Sequence, residues 1–563
     1  MFRFLAASGL VVAASWLSAC GQAPEEVATP PFEVSTAPPA DYDPLALALL
    51  DDHLTWRKGN REASIPVMCY TETAGTSNPC WVCHTQGNPP VAWYDANLQL
   101  TYAFSDEALT NKWQNLFEDR SARVAQISDE AILDYIRVDN YTPLKTAMEA
   151  RGEEYPGYVP DLDFSKGFDG EGFARDGSGW RALRYKPFLG TFWPTNGNTD
   201  DVMIRLPEKF RTTTELYKIN LAILEHVITL DPRNLQYKTA TREVEPISEV
   251  VAGFDLDGDG ELEPSITTIV GVPPHYAGDA ADVKAAGFTY PEGVEYLHSV
   301  RYVDPDAPNL LSERMKELRY SSNYTAIPVD RRYSLHEKEQ DERELGKLPK
   351  YSGSAKSGMS GFAVWKFQGF IEDENGWLRL QNHEETRFCM GCHGALGVNV
   401  DGTFTLSRKL PGAEGWKYQD LRGIQDAPQA GHADPEYLTY FARNRGADEL
   451  RANDEMLERF FEESDGLYEP KEAEVRRAAI GGDKDLAWLL TPSPERALAL
   501  NKAYRVIVED QDFVHGRDAT ITPPANVHRT IENGSTENGG TGLFFDDGKL
   551  TLDWSTGSVA NDG

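Results

Sequence analysis

The sequence is poor in basic residues and in cysteine, and each shortage excludes a class of partner or of scaffold. Fifty-five lysines and arginines against 89 aspartates and glutamates give a formal net charge of −34. Nucleic acid repels such a surface, so we expect no nucleic acid partner. A partner with a basic surface, or a divalent cation, suits the charge better, and the alternative is a solvated acidic surface without a specific partner. Six cysteines in 563 residues are too few for a disulfide-rich scaffold.

Several motifs of common enzyme classes are also missing. The sequence contains no Walker A loop, no Gly-x-Ser-x-Gly and no Gly-x-Gly-x-x-Gly. Phosphate-loop, serine-hydrolase and dinucleotide-binding functions therefore lack support. Beyond the N-terminal segment there is no run of 18 apolar residues, so we expect the rest of the chain to lie outside the bilayer.

The N-terminus has the pattern of a targeting segment. Arg3 precedes an apolar stretch, residues 4–17, that is too short to span a bilayer comfortably. The following Leu17-Ser18-Ala19-Cys20 resembles the lipobox of bacterial lipoproteins. That resemblance implies that residues 1–19 are a signal peptide and that Cys20 is acylated and becomes the mature N-terminus. The alternative is an ordinary signal peptide that is cleaved elsewhere.

Residues 20–45 form a linker with six prolines, a composition typical of a semi-rigid spacer between a membrane surface and a domain. Several acyl chains on Cys20 would hold such an anchor firmly, since one chain binds only weakly. Gly21 in place of Asp after the cysteine resembles the lipoproteins that are sorted to the outer membrane. We therefore expect an extracytoplasmic, lipid-anchored protein, at the outer membrane and facing the periplasm or the cell surface.

Four cysteines lie in two Cys-x-x-Cys-His motifs, one at Cys80, Cys83 and His84, the other at Cys389, Cys392 and His393. Two thiols three residues apart lie on one side of a helical turn, so each can form a thioether with one vinyl group of a porphyrin. The histidine that follows can then bind the iron as proximal ligand.

These two motifs resemble those of the c-type cytochrome superfamily, and the resemblance is confined to the motifs. It implies two haem c groups and membership of that superfamily. A zinc site could use the same four thiolates, but both histidines would then be accidental. A thioredoxin-like redox pair requires a preceding strand, and the Asn78-Pro79 sequence before the first motif does not favour one.

The sixth iron ligand decides between electron transfer and catalysis, because an open iron can bind a substrate. Four histidines outside the motifs are candidate distal ligands: His53, His383, His515 and His528. Met148 and Met456 follow the two motifs at a spacing similar to that of small cytochromes, but core packing is the better interpretation for both. Cys69 has three interpretations, namely a buried apolar residue, a haem ligand or an intermolecular disulfide.

A second motif with metal-binding character lies between the haem motifs. Its carboxylates alternate along one loop, as in the first half of an EF-hand: Asp255, Asp257, Asp259, Glu261 and Glu263. The twelfth loop position is Ile266, so Glu263 is expected to replace the usual bidentate glutamate. The flanks, residues 250–254 and 266–270, read as strands. The sequence predicts a structural calcium site, and an acidic turn without metal is the alternative.

The predicted fold class is α+β, with mostly helical haem-binding regions around a mixed middle region that contains strands and the calcium loop. Helices are expected near residues 212–229, 308–318 and 494–509, and a strand near 361–371. The predicted organisation begins with a signal peptide (1–19), a linker (20–45) and a first haem region (46–160). A mixed region (161–330), a second haem region with a helical C-terminal part (331–528) and a polar tail (529–563) follow.

The predicted function is electron transfer by two six-coordinate haems, in the periplasm or at the outer membrane. The alternative is a di-haem oxidoreductase, peroxidase-like or oxygenase-like, in which one iron is five-coordinate and reactive. The separation of the two motifs in the sequence is greater than in di-haem peroxidases, which weakens that analogy.

Overall fold

The computed structural model describes most of the chain beyond the leader. The described ranges are residues 34–51, 60, 62–72, 79–85, 96–99, 106–152, 155–190, 192–232, 235–345, 347, 351–361, 364–394, 396–446, 452–531 and 543–555. Within these ranges, no helix is both long enough and apolar enough to cross a membrane.

An eight-stranded antiparallel sheet forms the centre of the fold. Its strands are β1 (Arg181–Leu183), β2 (Thr199–Arg205), β5 (Glu295–Val303), β6 (Leu311–Asn323), β7 (Ser352–Ser354), β8 (Gly358–Ser360), β9 (Trp365–Glu372) and β10 (Leu378–Leu380). They run in the order β1-β2-β5-β6-β9-β8-β7, and β10 pairs with β9 outside this path. The sheet therefore unites strands from residues 161–330 with strands from residues 331–528.

Two hairpins lie outside this sheet. One pairs β3 (Thr241–Ile247) with β4 (Ile266–Val270), and the other pairs β11 (Phe461–Ser464) with β12 (Leu467–Pro470). The acidic loop lies between the two strands of the first hairpin.

The described ranges contain fourteen α-helices. They are α1 (Ala46–Asp51), α2 (Ser121–Val124), α3 (Asp129–Ile136), α4 (Tyr141–Glu149), α5 (Thr214–Val227), α6 (Glu249–Ala252), α7 (Val329–Glu344), α8 (His383–His393), α9 (Thr405–Arg408), α10 (Glu436–Asn444), α11 (Asp454–Phe460), α12 (Glu472–Val475), α13 (Leu486–Leu490) and α14 (Pro494–Asp510).

Strand register gives the sheet two different faces, since alternate side chains point in opposite directions. Met203 of β2 pairs with Leu297 of β5, and both belong to an apolar core that also contains Leu144 of α4. The next residues in the register, Val202 and His298, point to the opposite face. The first face packs into that core, and Val202 and His298 on the second face line a cavity.

The predicted α+β class is confirmed at this level, and the helices near 212–229 and 494–509 are present as α5 and α14. Two local predictions were wrong. Residues 308–318, expected to be helical, contribute to β6, where pairing with β5 and β9 on both sides outweighs local preference. Residues 250–254, expected to be a strand, lie at the end of α6, which Ser248 caps and Gly253 terminates.

Candidate functional site

The second Cys-x-x-Cys-His motif forms the last turn of α8. Asn382 caps the start of this helix in a capping box with Glu385, so the helix begins at a fixed residue. Cys389 and Cys392 lie three residues apart and therefore on one face of the helix. Both line a large cavity, together with His393.

The ring of His393 is fixed by its surroundings. Its Nδ1 donates a hydrogen bond to the carbonyl oxygen of Gly402 at 2.8 Å, which leaves Nε2 as the nitrogen able to bind a metal. The rings of Phe367 and Phe404 lie 5.1 Å and 5.5 Å from the imidazole. Burial lowers the pKa of His393 to about 4, so the imidazole is neutral at pH 7, as a metal ligand must be.

The first motif forms a short turn rather than a long helix. Residues Pro79–Val82 are a 3₁₀ helix, and the N–H of His84 donates to the carbonyl oxygen of Cys80 at 2.7 Å. Both thiols are nearly buried, and Cys83 lines the same cavity as the second motif. No disulfide joins any of the five cysteines in the described ranges.

The cavity is large and mostly apolar. The cavity is open to solvent, and the empty space within it, including the open side, is about 1960 Å³. Aromatic side chains contribute much of its wall, among them Trp113, Phe188 and Phe388. Burial raises the pKa of Cys389, and that of Cys392 to about 11, as expected for thiols in an apolar environment. Two thiols, a neutral imidazole and aromatic walls fit the requirements of a covalently attached porphyrin.

The two motifs are neighbours in space although they are far apart in the sequence. Val398 lies just beyond the second motif, and its N–H donates to the carbonyl oxygen of Cys83 at 3.2 Å. Gly391, between the two cysteines of the second motif, packs directly against the segment that precedes the first. A Cβ at this position would lie only 2.3 Å from the carbonyl oxygen of Ser64.

A polar wall faces the motifs across the cavity. It consists of side chains on one face of the sheet, where Val202, His298 and Arg319 are cross-strand neighbours on β2, β5 and β6. The Nε2 of His298 lies 3.0 Å from Oδ2 of Asp200. The hydroxyl of Tyr185 donates to the same carboxylate oxygen.

Charged side chains extend this wall. Arg319 donates through Nε to Glu317 at 2.8 Å, and Arg517 donates to the other carboxylate oxygen at 2.9 Å. Burial alone would raise the pKa of Glu317, but the two guanidinium groups outweigh it and lower the pKa to about 2. Lys316 donates to the carbonyl oxygen of Gly197 at 2.7 Å, and burial lowers the pKa of this lysine to about 7.

The described histidines among the predicted distal ligands do not line the cavity. His53 and the acylation site Cys20 lie outside the described residues. His383, His515 and His528 are described, and none of the three lines the cavity. His383 begins α8, ten residues before His393 and thus about 15 Å along the axis, too far to bind the same iron.

The other two histidines are engaged elsewhere. Nδ1 of His515 lies 2.7 Å from Oδ1 of Asp512. The backbone N–H of His528 donates to the carbonyl oxygen of Tyr70 at 2.8 Å, and burial lowers the pKa of its ring.

Of Met68, Met148 and Met456, two lie in apolar cores and one lines the cavity. Met148 and Met456 pack in two apolar cores, as the apolar pattern around them indicates. Met68, which the sequence analysis did not consider, lines the cavity beside Cys83. It belongs to a short 3₁₀ helix, Val67–Tyr70, that also contains the half-buried Cys69.

The acidic loop gathers carboxylates in two overlapping groups. Oxygens of Asp255, Asp257 and Asp259 lie within 4.8 Å of one another, and so do oxygens of Asp257, Glu249 and Glu263. These separations are compatible with shared coordination of calcium, which binds oxygen at about 2.3–2.6 Å. Burial, together with the neighbouring carboxylates, raises the pKa of Asp257. Glu261 belongs to neither group.

Glu249 is the member of these groups that the sequence analysis missed. It lies on α6 and is fully buried. Its carboxylate accepts backbone hydrogen bonds from Leu256, Asp257 and Glu263, so it fixes the course of the loop. Glu249 precedes the loop in the sequence, so the EF-hand spacing of ligands does not include it.

Comparison with known proteins identifies a family. A family model described as "-like lipoprotein" matches residues 54–479, a span that contains both motifs and the acidic loop. A protein of Aquifex aeolicus (strain VF5) named "Uncharacterized lipoprotein" is 34% identical over 536 residues, which cover 83% of this chain and 87% of the relative. No solved structure matches the chain.

The expected membership of the c-type cytochrome superfamily was wrong. The matching family is one of lipoproteins, and its model covers most of the chain, whereas the resemblance to cytochromes covered only two five-residue motifs. The separate expectation that the chain is a lipoprotein is confirmed. The error arose because a motif of five residues describes a local chemistry and carries no information about the fold around it.

Proposed function

Since the chain belongs to the lipoprotein family that matches residues 54–479, we propose that it is a lipid-anchored redox protein that binds two haems covalently and transfers electrons. Membership of a lipoprotein family makes it a lipid-anchored, extracytoplasmic protein. Gly21 after the acylated Cys20 supports the outer membrane as its location.

The observation that carries the proposal is that both motifs reach one cavity. Cys83 of the first motif and Cys389, Cys392 and His393 of the second all line it. Haems attached at these thiols would lie beside one another and could exchange electrons directly. His393 would serve as the proximal ligand of one haem and His84 of the other.

The walls supply what a porphyrin needs besides the thioether bonds. Aromatic rings such as Phe367 and Phe404 would pack against the macrocycle. Arg517 is a cationic group at the cavity that suits its carboxylates. Haem supplies one-electron redox chemistry, and the chain holds it, orients it and limits its access to water.

The redox partner is proposed to be a protein with a basic docking face. The net charge of −34 would attract such a partner and accelerate its association at low salt. The rate of electron transfer from a basic donor should therefore fall as ionic strength rises.

The acidic loop is proposed to hold a structural calcium ion. Asp255, Asp257 and Asp259, with Glu263 from the same loop and Glu249 from α6, supply hard oxygen ligands in two overlapping groups. This site would stabilise the first hairpin and would take no part in redox chemistry.

The covalent haem content of the denatured chain tests the main proposal. The full chain, produced in a host that attaches haem c, should retain two haems by mass spectrometry after denaturation. The double variant Cys80→Ala/Cys83→Ala and the double variant Cys389→Ala/Cys392→Ala should retain one each. The matched control Cys69→Ala should retain two. A wild-type chain without covalent haem would show the proposal to be wrong.

A second candidate function is an oxidoreductase in which one haem iron is open. The polar wall around His298 favours it, because a haem used only for electron transfer needs no proton-transferring groups beside it. Binding of carbon monoxide to the reduced, haem-loaded protein distinguishes the two functions. Two closed irons ignore carbon monoxide, whereas an open iron binds it.

A further inference from the structure

Three groups of the polar wall, His298, Asp200 and Tyr185, are joined by hydrogen bonds. His298 is partly accessible, with 17% of its side chain exposed to the cavity, and Asp200 holds its ring at 3.0 Å. The hydroxyl of Tyr185 bonds to the same carboxylate. A tyrosine, a carboxylate and an imidazole in sequence are a network that can move a proton.

Arg319 adds hydrogen-bond donors beside this network. It is the cross-strand neighbour of His298 on the same face of the sheet. Its Nε bonds to Glu317, and its two terminal amino groups make no hydrogen bond within the described part of the chain. The guanidinium lies close enough to the thiols of Cys389 and Cys392 to influence both pKa values. It therefore faces the place where the second haem would be attached.

The charge of the cavity indicates the class of substrate. Three carboxylates, on Asp200, Glu317 and Asp518, face three cationic side chains, on Lys316, Arg319 and Arg517. A cavity with nearly balanced charge does not favour an anion such as an oxyanion of nitrogen or sulfur. It favours a small neutral molecule whose protons can be moved.

We propose that His298, held by Asp200, and Arg319 form a site for the reduction of hydrogen peroxide beside the haem at the second motif. The inference rests on the proposed function, because it needs haem at that motif. It adds a substrate, and the residues that act on it, to the second candidate function, an oxidoreductase with one open haem iron.

The reaction requires two electrons and two protons for each peroxide. The oxygen–oxygen bond breaks, two oxygen–hydrogen bonds form, and two waters leave. The two haems, when attached, would supply one electron each, and a reduced one-electron carrier protein would replace both electrons. His298 takes a proton from one peroxide oxygen and gives it to the other, which leaves as water. Arg319 stabilises the negative charge that develops on the departing oxygen, and both protons that the reaction consumes come from solvent and convert the remaining oxygen into the second water.

The test uses the full, haem-loaded chain and three variants. The reduced protein is mixed with hydrogen peroxide, and the oxidation of its haems is followed by absorbance in a stopped-flow instrument. We expect His298→Gln to slow oxidation by about 10²–10⁴-fold, which is the usual contribution of a positioned acid–base group, and Arg319→Lys to slow it by about 10²-fold. The control His275→Gln alters a histidine that bonds to the carbonyl of Tyr276 and does not line the cavity, and its rate should equal that of the wild type.

A spectroscopic measurement separates this role from others. His298→Gln should leave the spin states of both haems and the binding of carbon monoxide unchanged. If the variant instead turns a low-spin haem high-spin, His298 is an iron ligand and the proposal is wrong. A haem-loaded wild type that peroxide oxidises no faster than His298→Gln overturns this inference alone. A wild type without covalent haem overturns it together with the proposed function.

Discussion

The backbone N–H of Val398 donates a hydrogen bond to the carbonyl oxygen of Cys83 at 3.2 Å. This bond joins the first motif directly to the segment that follows the second. It also explains how motifs from distant parts of the sequence can share one cavity. Haems attached at the two motifs should therefore influence each other.

We expect the reduction potentials of the two haems to be coupled. Charges about 15 Å apart interact by about 1 kcal/mol at an effective dielectric constant of 20, which corresponds to roughly 50 mV for one electron. In a potentiometric titration of the wild type, the second electron should enter at a potential about this much lower than expected for independent haems. The expectation for independent haems is the sum of the titration curves of the two single-haem proteins. The single-haem proteins are Cys80→Ala/Cys83→Ala and Cys389→Ala/Cys392→Ala. A wild-type curve equal to the sum of theirs would contradict the coupling.

The sequence allowed prediction of features whose chemistry is local. The lipobox, the two Cys-x-x-Cys-His motifs and the alternating carboxylates of the acidic loop each need only a few adjacent residues. Long helices with clear caps, such as α14 after Ser493 and Pro494, were also predictable. The lipoprotein character, which rests on such a motif, agrees with the family that matches.

The polar wall could not be predicted from the sequence. Asp200, His298 and Arg319 meet only because β2, β5 and β6 are adjacent and pair in one register. No spacing in the sequence encodes that register, so His298 could not be distinguished from the other isolated histidines. For the same reason, histidines near a motif in the sequence, such as His383, were poor guides to the cavity.

Calcium should stabilise the protein through the acidic loop. Asp257 has a raised pKa because of burial and neighbouring carboxylates, and a bound cation would relieve that repulsion. At a calcium concentration about 100 times the dissociation constant, unfolding should cost about 2.7 kcal/mol more. Differential scanning calorimetry with calcium and with a chelator measures this shift. Asp257→Asn should abolish it, and the control Glu292→Gln, an exposed carboxylate outside the loop, should preserve it. An equal shift in Asp257→Asn would contradict the site.

Removal of one buried guanidinium should stabilise the chain. Arg332 on α7 is 1% exposed, and three of its nitrogens have no hydrogen-bond partner in the described structure. Burial lowers its pKa, and Asp401 attracts it without a hydrogen bond. Because an unsatisfied buried donor costs about 1–3 kcal/mol, we expect Arg332→Met to raise the free energy of unfolding by that amount in urea titrations. The exposed neighbour Arg331 provides the control, and Arg331→Met should change it by less than about 0.5 kcal/mol. A loss of stability in Arg332→Met would contradict this account.

Acylation at Cys20 should attach the chain to the membrane. Cys20→Ser in the full chain should remove palmitate labelling and shift the protein from the detergent phase to the aqueous phase of a Triton X-114 partition, because the variant lacks the acyl chains that hold the anchor in a membrane. Cys69→Ser is the matched control and should remain in the detergent phase. Sucrose-gradient separation of the wild type tests the outer membrane, and recovery with the inner membrane would contradict that location.

The stability of the cavity wall should depend on pH through Glu436. This carboxylate on α10 is fully buried and bonds to Arg408 at 2.6 Å and to Lys186 at 2.5 Å. Arg408 also bonds to the carbonyl oxygen of Pro187, which lines the cavity. Burial alone would raise the pKa of Glu436, but the two cations outweigh it and lower the pKa to about 2.

A lowered pKa means that the carboxylate stabilises the folded state above its unfolded pKa of about 4.3, and that this contribution is lost as the pH falls towards 2. We expect Glu436→Gln to lower the free energy of unfolding by about 3–5 kcal/mol at pH 7, because it leaves the buried Arg408 without its carboxylate and Lys186 with only Asp426 as an ion-pair partner. The difference from the wild type should shrink between about pH 4.3 and pH 2. Urea titrations at several pH values measure it, with the exposed Glu472→Gln as control. A difference that stays constant down to pH 2 would show that lost packing, and not lost charge, destabilises the variant.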